Sequence, residues 1–372
     1  MGPFRHNNIM TSGEIFEPIS IEGRSYTRQE LLEQCRQLTG NPGVPDWKKE
    51  VFAFIGWFLG SSGEEIVQLT SGTTGDPKEV RLTREAMLLS ARKTLSLMEL
   101  KPGESALLCL PVKYIAGKMM VVRALVGGLK LVLAEPSGRP LKELTGPVAF
   151  AAMVPLQLYE SLAHKDPLSK IDKLIIGGGQ LNASLREELV QVTIPLVFET
   201  FGMTETCTHF AMKRINGPEP DPIFRLLEGV IAGVDTRGCL EVEIPGITKG
   251  KVTTSDLVEM DGSGEGFTWL GRYDNVINTG GIKIIPELLE QHARQCTGLE
   301  CLVLPEADQK LGEQLVLVVE YMGEDPPVEE WLNCLRSTLS TYEIPRRVLA
   351  VSELPRNASM KPDRTSAARF LL

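Results

Sequence analysis

The sequence predicts an α/β protein built as a large N-terminal domain, with parallel sheets flanked by helices plus a small β-barrel-like part, and a small C-terminal α+β domain. Three observations carry this. From Val67 to Gly202, short apolar runs alternate with stretches of helical period. After about Glu228 the pieces become short, β-rich and separated by Gly-containing turns. From Arg272 onward, strands and helices mix in a compact unit. The boundary is placed at Arg272 to Asp274, giving domains 1–272 and 273–372.

The elements follow in order. A strand-like FEPISIEG precedes a helix-like RQELLEQCRQL. The longest apolar stretch, VFAFIGWFLG from Val51 to Gly60, is too short to span a bilayer. VQLTS, ALLCLP, KLVLAEP, VAFAAMVP, KLIIGGG and IPLVFETFG read as strands; REAMLLSARKTLSLMEL and SLREELVQV read as helices between them. Asn182 or Ser184 can cap the second helix, with Ser184 and Glu187 spaced as a capping box. CLEVEI, KVTTSDLVEM and FTWLG read as a small barrel or meander. In the last unit, NVINTGGIKI, a helix from Pro286, strands CLVLP and QLVLVVEY, a helix around EEWLNCLRSTL and a strand RRVLAVSEL complete the chain.

With 372 residues the chain is too long for one ordinary core, which supports the two-domain division. A net charge of -9 argues against a nucleic-acid partner, which calls for an excess of Lys and Arg. The seven cysteines (Cys35, Cys109, Cys207, Cys239, Cys296, Cys301, Cys334) are scattered and lack a C-x-x-C pair. They read mostly as buried small hydrophobes in a reducing compartment. No basic stretch followed by an apolar run marks the N-terminus, so a cytoplasmic enzyme without membrane insertion is expected.

LTSGTTGDPKEV, Leu69 to Val80, carries the strongest chemical signal. It follows an apolar strand and precedes a helix beginning near Thr83. Gly72 and Gly75 let the backbone approach an anion, hydroxyls of Ser71, Thr73 and Thr74 add donors, and Lys78 adds positive charge. Such a loop suits a polyphosphate. Gly75 is followed by Asp-Pro-Lys, so it is not a Walker A loop.

This string resembles the phosphate loop of the adenylate-forming superfamily, which contains acyl- and aryl-CoA synthetases, peptide-synthetase adenylation domains and luciferases. The resemblance runs from about Val67 to the C-terminus, and it implies nucleotide contacts for Thr70, Ser71, Gly72, Thr73, Thr74, Gly75 and Lys78. Gly178, Gly179 and Gln180 of LIIGGGQL resemble the segment under the adenine. In ETFGMTET, Phe201 matches the residue that stacks on the base, Gly202 a nucleotide contact, Thr204 the phosphate contact and Glu205 the magnesium ligand. Asp256 of TTSDLVEM and Arg272 of LGRYDNVINTGGIKI match ribose contacts. The same resemblance implies a hinge at Asp274, a thiol channel at Gly280 and Gly281, and an adenylation lysine at Lys361 in NASMKPDR.

Taken singly, each motif has a plainer reading: a strand-to-helix turn for the glycines, a solvated carboxylate for Glu205, a turn residue for Asp256, a surface lysine for Lys361. Cys207 and His209 are two ligands at most, too few for a zinc site, so a packing role is expected. The implied chemistry fits the residue types. A carboxylate must attack the α-phosphorus of ATP as pyrophosphate leaves, which calls for positioning and positive charge rather than a covalent nucleophile. A thiol, coenzyme A, then takes the acyl group. ATP, Mg2+ and coenzyme A are the implied cofactors and co-substrates; a homo-oligomer is left open.

The segment Cys109 to Gly128, CLPVKYIAGKMMVVRALVGG, lies where the family's acyl-pocket helix is expected. It carries Tyr114, Lys118 and Arg123 as substrate-binding candidates, although both cations can instead snorkel to solvent. In this order it is similar to the segment in short o-succinylbenzoate–CoA ligases of menaquinone biosynthesis, whose diacid keeps a second carboxylate for a basic residue to read. The alternatives are another aryl- or acyl-CoA ligase, a carrier-protein-loading adenylation enzyme, or an inactive nucleotide-binding regulator. One departure stands out: the phosphate loop begins near residue 70, whereas most members have a much longer preceding region. The chain therefore reads as a shortened version lacking part of the usual N-terminal subdomain.

Overall fold

The computed structural model describes residues 15–60, 65–69, 79–179, 181, 183–356 and 362–371. Thr70 to Lys78, Gln180, Asn182 and Lys361 lie outside the described residues, so the phosphate-loop and adenylation-lysine assignments do too. Among the described residues, thirteen strands form one sheet. Its strands lie in the order Ile231–Val234, Cys239–Glu243, Val252–Met260, Gly266–Arg272, Phe224–Leu226, His209–Arg214, Leu196–Gly202, Ile171–Ile176, Val148–Met153, Ser105–Leu108, Lys130–Leu133, Ile19–Ile21, Arg24–Tyr26.

Six neighbouring strands, from Leu196–Gly202 to Ile19–Ile21, pair in parallel. Their sequences are apolar on both faces because both faces are covered. In Val148–Met153, for example, Phe150 and Ala152 enter one hydrophobic cluster while Val148, Ala151 and Met153 enter another. The first cluster lies under the helices Arg28–Thr39, Asp46–Gly60, Arg84–Leu97 and Ile115–Gly127. The second lies under Pro155–Ala163 and Ala183–Val190. The apolar stretch Val51 to Gly60 is thus a core helix, with Ile55, Phe58 and Leu59 fully buried. Among the described residues no helix is long and apolar enough to cross a membrane.

Two expectations are refined. The strand Glu65–Leu69 does not join the parallel sheet; it pairs antiparallel with Glu79–Thr83 as a separate hairpin. The β-rich piece after Glu228 is a meander that continues the main sheet, because Phe224–Leu226 pairs with both His209–Arg214 and Gly266–Arg272. It keeps a core of its own around Phe210, Phe224, Leu240, Val258 and Phe267.

From Ile277 onward a second sheet forms, in which Gly312–Glu320 pairs antiparallel with Ile277–Thr279 and Cys301–Asp308 and parallel with Arg347–Val351. The helices Pro286–Thr297 and Val328–Thr338 pack on it around Leu289, Leu317, Trp331 and Leu335. Here the cysteine expectation holds for most of the seven and fails for one pair. Five cysteines are buried and free, but Cys296 and Cys334 form a disulfide between these two helices. Helical spacing places both on facing sides although they are 38 residues apart in sequence.

Candidate active site

Two loops meet at the C-terminal ends of the adjacent parallel strands Ile171–Ile176 and Leu196–Gly202, the edge where open α/β sheets place ligands. The first loop carries Gly178 and Gly179. Gly178 has φ 72°, a left-handed backbone that suits glycine. At Gly177 a Cβ would press on the Thr200 hydroxyl, which donates to the Ile176 carbonyl at 2.9 Å. The motif needs its first two glycines for local reasons before any ligand is considered.

The second loop, from Met203 to Thr208, carries Thr204 and Glu205, both half-buried. Thr206 closes it: its hydroxyl donates to the Thr208 carbonyl at 2.7 Å and accepts the Met203 N–H at 3.1 Å. Gly202 is required by close approach, since a Cβ there would run into the Thr208 carbonyl and the His209 backbone. Gly202→Ala is accordingly expected to destabilise the protein by about 1–3 kcal/mol, read from the midpoint of a urea melt; an unchanged midpoint would refute the close packing. The Glu205 carboxylate makes no hydrogen bond or ion pair among the described residues. A half-buried carboxylate without a partner among the described residues suits Mg2+, which keeps much of its water and takes one or two carboxylates beside substrate phosphates.

Phe201 packs into the core more than its motif implies. Its ring meets Phe210, Phe224 and Phe267 edge-on, with centroids 5.2 to 5.7 Å away. A buried glutamate that the motif reading passed over anchors this region. Glu199 accepts the Leu181 N–H at 3.1 Å and pairs with Arg186 at 2.6 Å, tying the glycine segment to the neighbouring strand. Alternation along Leu196–Gly202 placed Glu199 inward, and that was the only signal for it.

Asp256 and Arg272, far apart in sequence, are register partners on adjacent antiparallel strands, with charged groups 3.7 Å apart. Arg272 also reaches Asp274 at 3.0 Å. The indole N–H of Trp269 donates to Asp256 at 3.0 Å and orients it; sequence reasoning missed this residue. Asp274 is exposed in a short 3-10 turn, Tyr273–Asn275. Gly280 and Gly281, with φ 60° and 87°, form the exposed two-residue turn between Ile277–Thr279 and Ile282–Ile284, a hairpin that demands left-handed residues.

The helix Ile115–Gly127 separates the three substrate candidates. Tyr114 caps it and is largely exposed, with the Lys113 ammonium 5.1 Å from its ring centroid. Neither cation snorkels. Lys118 is buried, donates to Gln68 Oε1 at 2.8 Å and to the Lys113 carbonyl at 3.1 Å, and lies over the Phe54 ring. Gln68 is in the hairpin strand that precedes residues 70–78, so Lys118 braces that strand.

Arg123 is 2% exposed, and no carboxylate among the described residues pairs with it. One Nη donates to the Thr208 hydroxyl at 3.1 Å, the other contacts Met120 sulfur at 3.6 Å, and Nε is buried without a partner. Burial pulls its pKa down to about 10. Thr208 in turn bonds His209 at 3.0 Å, whose other ring nitrogen meets Thr94 at 3.3 Å. Burial first, then the Arg123 charge, holds His209 well below its usual range, so it is neutral and links the Thr208 and Thr94 hydroxyls. Arg123 thus connects the helix Ile115–Gly127 to the loop that carries Glu205.

The model of the AMP-binding enzyme family matches residues 65–237. A probable 2-succinylbenzoate–CoA ligase of Mycobacterium tuberculosis is 30% identical over 329 residues, covering 82% of this chain and 84% of that protein. The 2-succinylbenzoate–CoA ligase of Escherichia coli is 27% identical over 318 residues, covering 82% and 68%. Among solved structures, an AMP-forming acyl-CoA synthetase-like protein of Dyadobacter fermentans is 34% identical, with a TM-score of 0.60, covering 91% of this chain and 97% of that one. The o-succinylbenzoate CoA synthetase of Bacillus subtilis, solved with its acyl-adenylate, has a TM-score of 0.71 over 94% and 95% of the two chains; at 19% identity it speaks to the fold alone. Ordered motifs, strand-end geometry and relatives covered over most of their length agree: the chain belongs to the AMP-binding, adenylate-forming enzyme family.

Proposed function

We propose that the chain is an ATP-dependent, AMP-forming acid–CoA ligase whose substrate is o-succinylbenzoate. The observation that carries the substrate choice is Arg123, a buried guanidinium without an anionic partner among the described residues, on the helix assigned to the acyl pocket. A buried unpaired cation is costly, and the second carboxylate of a diacid would compensate it. The names of the relatives favour the same acid. A panel of carboxylic acids with ATP, Mg2+ and coenzyme A, read by mass spectrometry of the thioester, tests this. Preference for benzoate or a fatty acid would refute the diacid reading, and absence of pyrophosphate release would refute the ligase reading.

In the proposed reaction a carboxylate oxygen attacks the α-phosphorus and pyrophosphate leaves; the thiol of coenzyme A then attacks the acyl carbon and AMP leaves. Thr70 to Lys78 would cradle the phosphates, Gly178, Gly179, Gln180 and Phe201 would hold the adenine, and Asp256 and Arg272 the ribose. Thr204 would meet a phosphate oxygen. A magnesium ion held by Glu205 would neutralise phosphate charge when bound. Lys361 would add positive charge during adenylation.

Residues 273–372 are proposed to rotate about Asp274 between the two half-reactions, bringing Gly280 and Gly281 to the thiol's path. Asp274→Pro tests the hinge. Proline holds φ near -65°, within the range of the 3-10 turn already present, and blocks wider rotation. A burst of acyl-AMP is expected to survive while thioester formation falls by about 10-fold or more. Two untouched half-reactions would remove Asp274 as the hinge.

A further inference from the structure

Arg123 stands at one end of a chain of hydrogen bonds that runs through Thr208, His209 and Thr94 to the carbonyl of Ser90. The successive links are 3.1, 3.0, 3.3 and 3.2 Å long, and Arg123, His209, Thr94 and Ser90 are all buried. The chain joins distant parts of the sequence. Arg123 is on the helix Ile115–Gly127, Thr94 and Ser90 are on the helix Arg84–Leu97, and His209 opens the strand His209–Arg214 just after Thr208.

Its direction follows from its two ends. A carbonyl only accepts, so Thr94 gives its proton to Ser90 and its oxygen accepts from His209 Nε2. A neutral imidazole with its proton on Nε2 has a bare Nδ1, which accepts from the Thr208 hydroxyl. The Thr208 oxygen then meets Arg123 as an acceptor, and a guanidinium can only donate. The same oxygen also accepts the backbone N–H of His209, so both of its lone pairs are filled. In the other tautomer Nδ1–H would be a third donor to that oxygen, and the Arg123 bond would have to weaken. Thr94 therefore decides, two side chains away, how firmly Arg123 is held. A guanidinium is planar, so fixing Nη2 at Thr208 and Nη1 at the Met120 sulfur also sets the direction of the buried, unpartnered Nε.

We propose that Thr208, His209 and Thr94 are positioning residues for Arg123: their one-way chain fixes the guanidinium, so that the enzyme selects a diacid by the spacing of its two carboxylates and not by its second charge alone. This rests on the reading of Arg123 given above. A guanidinium free to turn would follow the carboxylate of a longer or shorter diacid; one that is held meets a single spacing.

The test compares o-succinylbenzoate with the homologue that has one more methylene between its carboxylates, in the full-length enzyme. The native protein should prefer o-succinylbenzoate by about 10-fold or more in kcat/KM, the range that one methylene commands in a shaped pocket. Thr94→Val removes the hydroxyl and nearly keeps the shape. It should lower kcat/KM for o-succinylbenzoate by about 10-fold and leave the homologue within about two-fold, so that most of the preference is lost. Thr94→Ser, which keeps the hydroxyl, should restore it. KM for ATP should stay within about two-fold, because the loop that carries Thr204 and Glu205 is not asked to move. In an Arg123→Met background Thr94→Val should change nothing further, since both cut one chain. Equal losses for the two diacids, a matching rise in KM for ATP, or a native enzyme indifferent to the extra methylene would overturn the proposal. Should Thr94→Val fail to fold, His209→Phe, which keeps a ring and removes both nitrogens, decides by the same ratio. A raised KM in Arg123→Met with the native ratio in the positioning variants would overturn this proposal only. An Arg123→Met enzyme with native KM for o-succinylbenzoate would remove both this proposal and the reading beneath it.

Discussion

Lys361→Ala is expected to slow acyl-AMP formation by about three orders of magnitude, or ~4 kcal/mol of transition-state stabilisation. The physical reason is the charge balance of the step. An anionic acid approaches an anionic triphosphate, and negative charge grows on the bridging and leaving oxygens as they separate. In the proposed site Lys78 and the loop donors would address the ground-state phosphates, and Lys361 would act where charge develops. The second half-reaction expels AMP from an acyl carbon and has no such demand at the same atoms. The variant should therefore convert supplied acyl-AMP and coenzyme A to thioester at close to the native rate. Rapid-quench measurement of each half-reaction is the check. Equal losses in both would mean that Lys361 is structural or shared.

Arg123→Met should raise KM for o-succinylbenzoate by about 100-fold, ~2.7 kcal/mol, the loss typical of removing one partner of a buried charge pair. Met keeps the length and loses the charge. KM for ATP should hardly change, because no described contact joins Arg123 to the hairpin Glu65–Leu69/Glu79–Thr83. A monoacid analogue lacking the second carboxylate should be a poor substrate of the native enzyme and nearly indifferent to the substitution. A thermal shift adds an independent reading. The diacid should stabilise native protein by mass action and stabilise the variant much less at the same concentration. Lys118→Met separates the two cations that the sequence left open. Lys118 is already satisfied by Gln68 and the Lys113 carbonyl, so its loss should disturb the strand leading to the phosphate loop and appear in KM for ATP. A large effect of Lys118→Met on the diacid alone would reverse the assignment.

The proposed nucleotide site is made of short contiguous strings, and where these are described their local requirements were legible in the chain itself. The positive φ of Gly178 and the Gly-Gly hairpin at 280–281 follow from backbone sterics that one residue type relieves, so the letters and the conformation correspond. Strand and helix identities were legible for the same reason. Buried parallel strands such as Val148–Met153 must be apolar on both faces, and few other elements read that way.

What only the tertiary structure decided concerns partners distant in sequence. The strand Glu65–Leu69 has the composition of a sheet strand, and nothing local says that it closes on Glu79–Thr83 instead. Asp256 and Arg272 are distinct motifs until antiparallel register sets them opposite each other. Trp269 lies outside the motifs and Glu199 has no role assigned within its own; each acquires its contacts from a partner brought in by another element. Lys118 and Arg123 are the clearest case. Five positions apart on one helix, they are alike as cations in the sequence. Folding gives one of them Gln68 and a carbonyl, and leaves the other buried with an unpartnered Nε and no carboxylate among the described residues. Local sterics and periodicity are properties of neighbouring residues. Desolvation and charge compensation are properties of whatever the fold places alongside, and that is why the proposal of Arg123 over Lys118 as the acid-reading residue rests on tertiary contacts rather than on sequence.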